Sequence, residues 1–189
     1  MYKMSNAVLL GNKEKHFLFS SGGHSNTHLQ SATVFMNPIN TASLAEEMAL
    51  QIRCQLDNPC EIDAVIVPAI GPIVFGHEVA KILNIKALYS EKDKSGEFFL
   101  RHGFDYNFKH MNFVALEDVA TTGNSLKQVI KLVQKKGGNV PVCGTVIDRS
   151  QKPIDFGRPF ISLAKVDIPI YKPNDCPLCK AGSKAVKIK

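Results

Sequence analysis

The sequence predicts an α/β protein: an open, mostly parallel β-sheet flanked by helices, with a small additional lobe. Three observations carry this expectation. Short, almost wholly apolar runs recur at residues 64–67, 113–116 and 140–147, as in parallel strands buried on both faces. Stretches between them carry apolar residues at helical spacing. Polar clusters follow the apolar runs at 69–72, 117–125 and 148–149, and open parallel sheets collect ligands at such strand ends.

Taken in order, residues 11–36 read as irregular strands of the small lobe, a hood to which 153–172 also contribute. A helix is expected over 41–56, where Leu44, Ala45, Met48, Ala49, Ile52 and Leu56 share one side after the Asn37-Pro38 turn, with Thr41 or Ser43 as cap. The strand at 64–67 ends in Pro68-Ala69-Ile70-Gly71-Pro72, leading into a helix with Phe75, Val79, Ile82 and Leu83 on one side. Pro72 suits its first turn. Residues 86–89 read as a second strand, and 90–104 as a charged hairpin with Ser95-Gly96 at its tip. The third strand, 113–116, precedes a helix that turns Leu126, Val129, Ile130 and Val133 inward and stops at Gly137-Gly138. The fourth runs over 140–147 to Asp148-Arg149. This alternation implies right-handed crossovers within one domain spanning 1–189.

The chain has 189 residues, enough for one sizeable core. No run of 18 apolar residues occurs, which excludes a membrane-spanning helix, and the short apolar patch at 7–10 is too small for a secretory signal. Five cysteines at irregular spacing argue for a reducing, cytoplasmic setting. The formal net charge of +6 suits polyanionic partners. Its lysines form no dense block and lack interleaved aromatics, so small phosphorylated substrates are expected rather than nucleic acid.

Residues 113–125 carry the most specific chemistry. Glu117 and Asp118 stand at the carboxyl end of a buried strand, and Thr121-Thr122-Gly123-Asn124-Ser125 opens the next helix. Free N–H groups at a helix start, joined by hydroxyls, bind a phosphate monoester. Two neighbouring carboxylates repel that phosphate but accept hydrogen bonds from vicinal sugar hydroxyls. Together these read as a seat for ribose 5-phosphate. The plainer readings are solvated acids and an ordinary helix cap. For Arg149 the plainer reading is a surface pair with Asp148. His24 and His28 are expected to be structural, and Cys176-x-x-Cys179, half of a zinc pattern, to be a structural turn.

Residues 116–125 resemble the phosphoribosyl-diphosphate (PRPP) signature of type I phosphoribosyltransferases. Phe17-Leu18-Phe19-Ser20-Ser21-Gly22-Gly23-His24-Ser25, Val67-Pro68-Ala69-Ile70-Gly71, residues 87–93, Leu100-Arg101-His102-Gly103-Phe104, Val146-Ile147-Asp148-Arg149 and Cys176-Pro177-Leu178-Cys179 resemble blocks of bacterial orotate phosphoribosyltransferases in the same order. The resemblance covers about Leu10 to Ala185 and implies the type I phosphoribosyltransferase fold.

It also implies roles. Ala120, Thr121, Thr122, Gly123, Asn124 and Ser125 would hold the 5-phosphate, and Glu117 and Asp118 the ribose hydroxyls. Ala69, Ile70, Gly71 and Pro72, with Arg101, would face pyrophosphate. Arg149, Ser21, Gly22 and Thr121 would hold orotate. Lys92 and Lys94 would enter the chemistry from a mobile loop at about 90–104, in this family usually closing over the partner subunit's site. Mg²⁺ would be held by substrate oxygens and water, with no direct protein ligand, and a homodimer is expected. The chain departs from the family pattern at Pro72, where relatives commonly place a glycine, and at Gly23, where a basic residue is usual. Proline offers pyrophosphate no N–H. A purine-base phosphoribosyltransferase and a non-catalytic PRPP-binding regulator are the rival readings.

Overall fold

The computed structural model describes residues 1–3, 5–19, 22–56, 61–101, 103–104 and 106–187. In chain order the first elements are strands β1 (Val8–Leu10), β2 (Lys15–Leu18), β3 (His24–Ser25) and β4 (Thr27–Leu29), then helices α1 (Ser31–Phe35) and α2 (Pro38–Cys54). The central elements are β5 (Ala64–Pro68), α3 (Ile73–Leu83), β6 (Lys86–Lys92), β7 (Phe98–Phe99), β8 (Asn112–Ala120), α4 (Asn124–Lys135), β9 (Asn139–Asp148) and β10 (Phe160–Lys165). A 3₁₀ turn at Pro173–Asp175, helix α5 (Pro177–Lys180) and β11 (Lys184–Lys187) follow. The chain divides into two compact units, Phe35–Val166 and a smaller one built from Met1–Val34 with Asp167–Lys189.

The larger unit contains a six-stranded sheet in the order β10-β9-β8-β5-β6-β7. All its pairings are parallel except the terminal β6–β7 hairpin. Every residue of β5 is buried, as a two-sided parallel strand requires. Helix α4 buries Leu126, Val129, Ile130 and Val133 and leaves its lysines outside. At about 1.5–3 kcal/mol per fully buried side chain, that stripe outweighs any intrinsic helix preference. Phe108 and Phe113 complete the core beneath it.

Several boundaries move from their expected places. Helix α2 starts a turn early, because Asn37 is its cap: the side-chain oxygen accepts from the N–H groups of Ile39 and Asn40, with Pro38 in the first turn. Thr41 is interior, its hydroxyl donating to the carbonyls of Phe35 and Asn37. Strand β8 continues through Ala120, so Glu117 and Asp118 lie within the strand rather than beyond it. Residues 160–165 form an edge strand of the main sheet, parallel to β9, and only the part from Asp167 onward falls in the smaller unit. The hairpin at 90–104 has the expected turn. Asp93 Oδ1 accepts from the N–H groups of Ser95 and Glu97 and from the Ser95 hydroxyl.

The smaller unit holds a β1–β4 pair and a three-stranded sheet in the order β11-β2-β3. Strand β11 runs parallel to β2, and β3 antiparallel to it. Among the described residues no helix is long and apolar enough to cross a membrane.

Candidate active site

Because β5, β8 and β9 run parallel, their carboxyl ends reach the same edge of the larger unit's sheet. The residues there were read from three separate stretches of sequence, and the topology gathers them. Pro68 ends β5, Ala120 ends β8 and Asp148 ends β9. The N–H of Arg149 donates to the Ala120 carbonyl at 2.9 Å, which extends the β8–β9 ladder by one rung.

Glu117 and Asp118 sit half-buried near the end of β8. Burial, and then the Asp118 carboxylate beside it, push the Glu117 carboxyl up to about 8. The Ser125 hydroxyl, hydrogen-bonded to it, and the Lys92 ammonium pull in the opposite direction and lose. Lys92, at the end of β6, acts on Glu117 only through its charge, and its ammonium lies 4.9 Å from the centroid of the Phe98 ring.

The loop after β8 has the character of an anion seat. Thr122 and Asn124 are exposed, and Thr121 and Ser125 are half-buried. Gly123 caps α4 in a left-handed conformation (φ 71°), and no side chain caps the helix, so its first N–H groups have no side-chain acceptor at the cap. A Cβ at Gly123 would meet Phe156 Cζ at 2.7 Å and Ile154 Cγ2 at 2.9 Å, so packing also demands glycine there.

Ala69, Ile70 and Gly71 form the loop between β5 and α3, with a cis peptide between Ala69 and Ile70. A Cβ at Gly71 would lie 3.1 Å from Asp118 Oδ2, which places this loop directly against the acid pair. Pro72 is the N-cap of α3 and adds no side-chain cap.

Arg149 is buried, at 3% exposure, and burial pushes its guanidinium down to about 10, which leaves it cationic at neutral pH. The Asp148 carboxylate accepts from the Ser150 N–H at 2.8 Å and meets Lys165 Nζ at 3.4 Å.

Lys94 is exposed in the hairpin turn. Arg101 is engaged by Glu91, its Nη2 donating to Oε2 at 2.7 Å and its Nε pairing with Oε1. Gly22 forms a tight turn in the smaller unit, its N–H donating to the Phe19 carbonyl, and Ser21 lies outside the described residues.

His28 lies against the rings of Phe17 and Phe19, with centroids 5.8 and 5.9 Å away, whereas His24 meets His16. His16 drew no notice in the sequence. Its only signal there was a histidine in a short strand eight residues ahead of another.

No family model matches the chain. It is 43% identical over 172 residues to the orotate phosphoribosyltransferase of Caldanaerobacter subterraneus subsp. tengcongensis, covering 91% of this chain and 87% of that one. It is 40% identical over 174 residues to that of Thermotoga petrophila, covering 92% and 89%. Among solved structures, the orotate phosphoribosyltransferase of Aeropyrum pernix superposes with a TM-score of 0.69 at 22% identity, covering 87% of this chain and 90% of that one. An adenine phosphoribosyltransferase of Thermoanaerobacter pseudethanolicus gives 0.60 at 19% identity, covering 74% and 88%.

Proposed function

This chain belongs to the orotate phosphoribosyltransferase family, and from that premise we propose how its own residues divide the transfer of a phosphoribosyl group from PRPP to orotate. The purine reading rests on fold likeness alone, at 19% identity, and falls behind. The observation that carries the assignment is the uncapped start of α4 beside the Glu117–Asp118 pair.

The first N–H groups of α4, with the hydroxyls of Thr121, Thr122 and Ser125, hold the 5-phosphate of PRPP. Ala120 and Asn124 complete that loop. Asp118 and the ionised form of Glu117 accept hydrogen bonds from the ribose hydroxyls. As the bond to pyrophosphate stretches, positive charge grows on the ribose, and these two acids lie where they stabilise it. No covalent nucleophile is required.

The backbone of Ala69, Ile70 and Gly71 lines the pyrophosphate side. Pro72 contributes no donor there, an absence worth about 1.5–3 kcal/mol if a charged oxygen would otherwise have been bonded. Arg149, with Thr121, offers orotate a planar fork matched to its carboxylate. Lys92 and Lys94 bring positive charge from the hairpin. Arg101 joins them at pyrophosphate by exchanging its Glu91 partner, and closure of the hairpin excludes water.

Two neighbouring carboxylates are too few for a protein cage, so Mg²⁺ would be held by substrate oxygens and water. When bound, Mg²⁺ neutralises charge on pyrophosphate. The exposed side chains of Met36, Ile39, Ile70 and Val74 favour a homodimer formed through the larger unit. Light scattering of one chain mass would refute that association. Five cysteines, an odd count at irregular spacing, favour a cytoplasmic enzyme.

The direct test is orotate depletion, followed by absorbance, with PRPP and Mg²⁺. Turnover of orotate, with hypoxanthine and xanthine inert, supports the assignment. PRPP binding without turnover would establish the regulator reading instead.

A pH profile tests Glu117 separately. A carboxyl raised to about 8 is protonated below that pH and ionised above it. The protonated form is the poorer acceptor for a sugar hydroxyl. Accordingly kcat/KM for PRPP, which reports the free enzyme, should climb with pH and level off above about 8. Glu117→Gln should abolish the step. A step of unchanged size and position in that variant would assign it to another group.

A further inference from the structure

Four potential ligands converge in the smaller unit: His16 from β2, His24 from β3, and Cys176 and Cys179 flanking the start of α5. Their ligand atoms all lie within 4.8 Å of one another. His16 Nε2 lies 3.1 Å from His24 Nδ1, 3.5 Å from Cys179 Sγ and 3.8 Å from Cys176 Sγ, and Cys179 Sγ is 3.3 Å from His24 Nδ1. We propose that these side chains form a structural Cys₂His₂ zinc site.

Hydrogen bonding does not account for the convergence. An imidazole nitrogen carries either one proton or one lone pair, and His16 Nε2 has three heteroatoms around it. A shared cation satisfies them all. With Zn–S near 2.3 Å and Zn–N near 2.0–2.1 Å, a regular tetrahedron has N···N edges of about 3.3 Å and N···S edges of about 3.6 Å. The four measured separations depart from those edges by about 0.3 Å or less.

The surroundings also prepare His16 to coordinate. Its Nδ1 lies 2.9 Å from Ser183 Oγ, and that hydroxyl donates to the Asn12 carbonyl at 3.5 Å. With Ser183 accepting from a protonated Nδ1, the Nε2 lone pair points at the cluster. Such a hydrogen bond on the far nitrogen is the usual partner of a zinc-bound histidine. His24 is fixed by its backbone, which exchanges hydrogen bonds with Tyr171 at 2.9 and 2.8 Å. Cys176-Pro177-Leu178-Cys179 forms one tight turn, with Lys180 N–H donating to the Cys176 carbonyl at 3.1 Å. Two residues between the cysteines is the spacing of structural zinc sites.

Two sulfurs and two nitrogens in a tetrahedral set favour zinc over hard cations. All four positions are filled by protein, so the ion would be structural rather than catalytic. It would join the amino-terminal strands to a carboxyl-terminal turn more than 150 residues away. A unit assembled from two short chain segments has little core of its own, and a metal supplies the missing linkage.

Elemental analysis of the full chain, purified under reducing conditions without chelator, should find one zinc per chain. After stripping, Co²⁺ alone should bind at the same stoichiometry and give the intense visible bands of tetrahedral cobalt, with thiolate charge-transfer bands in the near ultraviolet. Cys179→Ser, at the exposed position, should remove stoichiometric metal and the thiolate bands, while Cys54→Ser at an exposed site should keep both. The proposal is overturned if wild type takes up neither metal, if a Cys176–Cys179 disulfide occupies the site in reduced protein, or if Cys179→Ser keeps one equivalent with an unchanged cobalt spectrum.

Discussion

Asp118→Asn should lower kcat by about 10²- to 10³-fold, the usual cost of removing one electrostatic contact made to the transition state. Asparagine keeps the shape of the side chain beside Gly71, whose Cα faces Asp118 Oδ2 closely enough that a Cβ would lie 3.1 Å from it. The contact with the pyrophosphate loop therefore survives, and only the negative charge is lost. Because Asp118 is half-buried at a strand end, stability should change by about 0.5 kcal/mol or less. Steady-state kinetics beside a thermal melt separate the two effects. Undiminished turnover would dismiss the ribose assignment, and a large drop in melting temperature would make Asp118 a structural residue first.

Arg149→Ala should raise the KM for orotate about 10²-fold or more while leaving PRPP affinity nearly unchanged. The side chain is 3% exposed, and its burial already disfavours the cation. Such a group gains strongly from an incoming carboxylate, and truncating one partner of a buried charge pair typically costs 2–5 kcal/mol. Arg149→Lys should recover only part of the loss, since an ammonium cannot present two parallel N–H groups. Equal losses for orotate and PRPP would place Arg149 outside the base site.

Much of this enzyme was legible in order along the chain. The all-apolar run at 64–67 announced a strand buried on both faces, and β5 is that strand. The stripe of Leu126, Val129, Ile130 and Val133 announced α4, and all four are buried. The acid pair and hydroxyl loop stood out because thirteen consecutive residues carry them, so no long-range pairing was needed to bring them together. Where reading failed, local pattern was weak or ambiguous. The apolar part of β8 stops at Leu116, but its ladder with β9 continues to Ala120↔Asp148. Strand β10 buries only Ile161 among its six residues, so its place in the main sheet is set by register against β9. Asn37-Pro38 caps and opens α2, a pattern that locally is equally compatible with a simple turn.

The primary structure alone determined the parallel α/β layout and the family, because each depends on residues adjacent in the chain or on periodicity within one element. Tertiary structure decided which distant groups meet. It turned Arg101 toward Glu91 and brought His16 to Cys176 and Cys179. Those encounters depend on strand register and loop closure, which no spacing along the chain encodes.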